Sequence, residues 1–71
     1  MNRLMSLLKE KNHYLEKFAN INELELMNFS EGDFENLEYF YQTREQILEL
    51  INSIDGLIGE EEARVLGRIQ I

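Results

Sequence analysis

The side chains of this 71-residue chain that could begin chemistry are fourteen carboxylates and one histidine, His13; there is no cysteine. One stretch comes near a calcium loop. With Gly56 as the central glycine, Asp55 stands at position 5, Ile58 at position 8 and Glu62 at position 12, as that pattern asks. Position 1 should be an aspartate and is Ile51, and position 3 is Ser53. Without its first ligand the stretch reads as a glycine-bearing helix end followed by an acidic helix start. The carboxylates Glu60, Glu61 and Glu62, and Glu31, Asp33 and Glu35, fall at predicted helix starts, where the dipole stabilises negative charge. Acid–base catalysis would need one of them singled out in a cleft. His13 lies on a helix flank, and one histidine makes neither a multi-histidine zinc site nor a di-iron bundle. The chain reads as a non-enzyme with no cofactor and no metal.

Composition restricts the scaffold. A chain of 8.5 kDa is one small domain with a marginal core, and without disulfides it relies on helix packing or a partner subunit. Proline is absent and glycine occurs four times, at Gly32, Gly56, Gly59 and Gly67, so little interrupts a helix. Hydrophobic residues make up 44% of the chain, enough to disfavour disorder. The net charge of −7 argues against nucleic acid, which needs cations against phosphate. No apolar run is long enough for membrane insertion or a secretory leader, so a cytoplasmic location is expected. The charge is uneven: residues 1–17 carry four bases and two acids, whereas residues 18–62 carry Arg44 against twelve acids.

Apolar spacing of three and four predicts a single all-α domain over residues 1–71: an antiparallel, coiled-coil-like hairpin with a short third helix that completes a bundle by association. The first helix is expected over about 2–29, a turn over 30–33, a second helix over about 34–55 and the short helix over about 60–71. Gly32 can take the left-handed conformation that closes a helix, and Asp33 can cap the next. The expected hairpin core is Leu8, Leu15, Phe18 and Leu26 facing Leu37, Tyr41, Leu48 and Ile51. A turn centred on residues 31–32 makes facing residue numbers total about 63. Leu48 then faces Leu15, Lys11 lies near Asn52 and Asp55, and Arg44 lies within reach of Glu16 or Glu23. Phe34, Tyr39, Phe40 and Tyr41 cannot all enter one seam. Either Tyr39 lies on the surface, or the cluster forms a second buried face. The chain ends at Ile71 on an apolar, uncapped segment, which leads us to expect a fragment of a longer protein.

The Gly32-Asp33 turn followed by Leu37, and the segment from Arg44 to Ile47-Leu48, resemble the flagellar export chaperones of the FlgN and FliT type. The resemblance covers roughly residues 4–58. It implies a cytoplasmic helical hairpin that shields the apolar helical end of a late type III export substrate, a hook-associated or filament cap protein. By that resemblance the client is held by an amphipathic C-terminal helix. Here that is the segment over residues 58–71, with Ile58, Ala63, Leu66 and Ile69 as the partner-binding residues. The competing expectation is a structural coiled-coil subunit, a homo-oligomer that self-associates into a helical bundle.

Overall fold

The computed structural model describes residues 2–69 and contains two helices, α1 (Arg3–Ser30) and α2 (Leu37–Ile69), packed antiparallel in a rod of 60 × 18 × 14 Å. The chain is an all-α hairpin. Asn2 caps α1: its Oδ1 accepts a hydrogen bond from the Met5 N–H at 2.9 Å, satisfying one of the unpaired donors of the first turn. At the other end Gly32 takes φ +77°. Its N–H donates to the Phe29 carbonyl at 3.0 Å, and the Asp33 N–H donates to the Asn28 carbonyl at 2.8 Å. These two bonds form a Schellman closure, which needs the left-handed residue that only glycine adopts without strain.

The second helix begins three residues later than its expected start at Phe34. Asp33 Oδ1 accepts from the Glu35 N–H at 3.1 Å, a local turn that does not reach into α2. Phe34 stacks on Phe29 with ring centroids 5.3 Å apart, outside either helix. Asn36 supplies the first helical carbonyl, to the Phe40 N–H at 3.0 Å. The longer turn moves the register. Lys11 meets Asp55 and Asn22 meets Arg44, so facing residue numbers total 66, not 63.

The expected third helix is not a separate element. α2 runs unbroken for 33 residues through Gly56 and Gly59, and residues 51–62, where the calcium-loop spacing fell, are helical throughout. Glycine inside a helix costs about 1 kcal/mol relative to alanine. Ile54 and Ile58, on either side of Gly56, are both buried, and each such burial is worth roughly 1.5–3 kcal/mol. Tertiary packing therefore outweighs the local preference to break. Glu60, Glu61 and Glu62 consequently sit inside a helix and cap nothing.

The core is one seam. On α1 the residues withdrawn from solvent are Leu4, Leu7, Lys11, Tyr14, Phe18, Ile21, Glu25 and Asn28, spaced alternately by three and four. On α2 the same spacing picks out Phe40, Arg44, Ile47, Ile51, Ile54, Ile58 and Glu61. This is an antiparallel coiled-coil seam. Ile21, Phe40, Ile47 and Ile51 form one apolar cluster, Leu7, Ile54 and Ile58 another, and Tyr14 touches both. Of the expected core, Ile51 is buried, Phe18 packs half-buried against the first cluster, and Leu48 is half-buried at its edge. Leu8, Leu15, Leu26, Leu37 and Tyr41 are exposed instead. α1 carries two adjacent apolar stripes one residue, or about 100°, apart. The hairpin buries the stripe bearing Tyr14, Phe18, Ile21 and the four isoleucines of α2, which hides more apolar area than the stripe next to it. Tyr39 lies on the surface, its ring edge-on to buried Phe40.

Two glycines offer a matched test, since a Cβ at either Gly32 or Gly56 would meet nothing within 4 Å. Gly56→Ala should raise stability by up to about 1 kcal/mol through helix propensity. Gly32→Ala should lower it by about 1–2 kcal/mol, because alanine resists the left-handed conformation. Urea titrations followed by circular dichroism read both signs.

Candidate functional site

Polar groups interrupt the seam at three levels. Lys11 Nζ lies 2.6 Å from Asp55 Oδ1 across the hairpin, as the spacing predicts. Nearer the turn, Arg44 bridges both strands of the seam: its Nε donates to Asn22 Oδ1 at 3.0 Å and its Nη2 donates to the Glu25 carboxylate. Arg44 finds its acid at Glu25, two residues beyond Glu23 and nine beyond Glu16, because of the shifted register. At the open end Glu61 is buried, 8% exposed, and Arg64 one turn on covers it, Nη2 donating to both carboxylate oxygens at 2.7 and 2.6 Å. The first two sets join the two helices and specify their register; the Glu61–Arg64 pair lies within α2.

The chemistry-bearing residues do not converge. His13 is exposed on α1, its ring 5.6 Å from that of Tyr14. Glu10 stands three residues before it, so one Glu-x-x-His pair does exist, a spacing that sequence reasoning passed over; Glu10 is exposed too. Among the described residues no group of three or more His, Asp or Glu side chains could hold a metal ion. An open depression on α1 is lined by Asn20, Glu23, Leu24 and Met27, a mixed surface without an enclosed volume.

What the molecule offers is uncovered apolar surface, in two places. The first is the end of α2. The seam register brings Glu61 level with Leu4 and Met5, so α2 continues past the Asn2 cap of α1 from about residue 64. Ala63 is exposed there and Leu66 is 58% exposed, with Val65 in line with the seam stripe. Ile58, grouped with them as a partner-binding residue, belongs to the hairpin core instead: it packs with Leu7 and Ile54. The expected role of Ile69 concerns a side chain outside the described residues.

The second place is the neighbouring stripe of α1: Met5, Leu8, Asn12, Leu15, Ala19, Asn22, Leu26 and Phe29, every one exposed. It holds the same three-and-four spacing as the seam and contains no charged residue over roughly 36 Å of helix. Sequence reasoning took its leucines for the hairpin core. The signal that distinguishes them was present, in two uncharged asparagines at seam spacing. No helix among the described residues is long and apolar enough to cross a membrane.

The Arg44 cluster yields a stability prediction. Arg44→Ala leaves half-buried Glu25 without its cation and Asn22 without its donor, and should cost about 1–2 kcal/mol, the partial exposure of the pair moderating the loss. The double variant Arg44→Met with Glu25→Met should recover most of it, since an apolar pair replaces an ion pair at little net cost. Denaturant unfolding of the three variants measures the cycle. Comparison with known protein families, with curated proteins and with solved structures gave no match to this chain.

Proposed function

We propose that this chain is a helix-binding module of the flagellar export chaperone type, holding the apolar helical end of a late export substrate, a hook-associated or filament cap protein, in the cytoplasm. The observation that carries this reading is the free end of α2. The seam stripe continues through Val65 beyond the start of α1, so one helix presents a seam with nothing of α1 opposite it. A client helix laid there would meet Val65 and Leu66, with Ala63 one turn back, as amphipathic helices anchor at spacings of three and four. The net charge of −7 supports the role as well, by keeping a protein with this much exposed apolar surface soluble. The role is binding, without a catalytic step or cofactor. A structural subunit built by self-association is the second reading, favoured by the uncharged stripe of α1.

Titration calorimetry against soluble hook-associated and cap proteins tests the first reading. Binding with a Kd near 1 μM or tighter is expected, and Leu66→Glu should weaken it at least tenfold, about 1.4 kcal/mol. Leu66 is outside the seam, so the variant should keep its helical circular dichroism. Absence of binding to every such client rejects the reading.

A further inference from the structure

We propose that two copies of this chain pair through the uncharged stripe of α1, helix against helix and antiparallel, to form a four-helix dimer. In that direction the stripe is self-complementary layer by layer. Antiparallel seams form layers in which facing residue numbers have a constant total, as they do within the hairpin. Centred on residue 17, the stripe sets Asn12 against Asn22 of the second copy, and Asn22 against its Asn12. Both polar positions are thereby matched, amide to amide, and an amide opposite an apolar residue is the arrangement that such seams avoid. The same alignment sets Leu8 on Leu26, Met5 on Phe29 and Leu15 on Ala19, a large residue opposite a small one at the layers nearest the twofold axis. A parallel in-register pairing would match the asparagines as well, each on its own copy, but would put Ala19 on Ala19 and Phe29 on Phe29, so size and charge, not the amides, choose the direction.

Charge selects the same direction. The half of the rod nearest the turn, residues 20–46, carries seven acids against Arg44, net −6. The open half, residues 1–19 and 47–71, carries seven acids against six bases, net −1. Antiparallel pairing lays the acidic half of one copy along the nearly neutral half of the other, whereas parallel pairing lays acid on acid. Beside the stripe, Lys9 comes alongside Glu23 of the second copy, twice per dimer, and Glu16 meets its own copy at the axis. The corresponding positions of α2 include Glu38, Glu45, Asp55 and Glu62, so the second helix offers no equivalent seam.

The dimer does not rest on the client reading: its interface is on α1 and the client surface is at the end of α2, so Leu15→Glu and Leu66→Glu separate the two. Sedimentation equilibrium should give a mass near 17 kDa, twice the 8.5 kDa chain. Leu15→Glu should lower dimer affinity at least tenfold while helical content stays unchanged, since Leu15 is outside the hairpin seam. Direction is read by disulfide trapping, because the chain has no cysteine of its own. A Leu8→Cys chain mixed with a Leu26→Cys chain should cross-link to each other in preference to themselves. A monomer at all concentrations, a dimer untouched by Leu15→Glu, or Leu8→Cys chains that link chiefly to themselves would each overturn the proposal.

Discussion

A two-helix hairpin has one interface, and that constraint governs the rest of this molecule. Each helix can bury only a stripe of about two residues in seven against its single neighbour. Among the described residues no large side chain is fully buried, and the core hydrophobics are Leu7, Ile21, Phe40, Ile47, Ile51, Ile54 and Ile58. Stability therefore rests on one line of contacts, and each polar residue in that line must bring its own partner. Lys11, Arg44 and Glu61 do so through Asp55, Glu25 with Asn22, and Arg64. A slip by one heptad would separate Lys11 from Asp55 and Arg44 from Glu25 together. Ion pairs of this kind contribute little net stability when partly exposed, but they penalise the wrong registers.

The same constraint explains what could be read from the sequence. The turn was legible, because the demand for a left-handed residue is local and Gly32 answers it. The long α1 was legible from spacing and the absence of breakers; the arithmetic of the hairpin brought Lys11 to the neighbourhood of Asn52 and Asp55, in a register three residues off the one that pairs it with Asp55. The core was not. Two apolar stripes with similar periodicity lie side by side on α1, and which one turns inward depends on the area buried along both helices, a non-local quantity. Leu15 and Leu48 make as coherent a pair on paper as Tyr14 and Ile51; only the total over the whole seam separates them. Gly56 misled for a related reason, since its local propensity is opposed by burial of Ile54 and Ile58, whose contacts lie about fifty residues away at Leu7. The start of α2 was displaced by a contact between Phe29 and Phe34 that no periodicity encodes.

The apolar surface left outside the seam is therefore informative. An exposed Leu needs no explanation by itself. A row of them at seam spacing, running most of the length of α1 with no charge to interrupt it, is a different object, because charge on exposed positions is the ordinary means of keeping helices apart. The charges are elsewhere: Lys9, Glu16 and Glu23 border the stripe, and the acids of α2 occupy the positions that would make a comparable row there.

The asparagines sharpen the point. Asn22 Oδ1 already accepts from Arg44 within the hairpin, which leaves its amide N–H groups to face a second copy, and Asn12 and Asn22 are placed symmetrically about residue 17. An uncharged amide at seam spacing weakens a seam but restricts it to alignments in which amide meets amide. Lys or Glu at either position would have kept the face soluble more effectively. Retaining an amide there favours one specific contact over general solubility, and the spacing of the pair makes the face complementary to itself. The hairpin seam uses charged pairs to choose its register between unlike helices, where a basic residue can face an acid. Across a twofold axis each residue that falls on the axis meets its own copy, and neutral, self-matching amides are the groups that can fix register beside it without adding like charge.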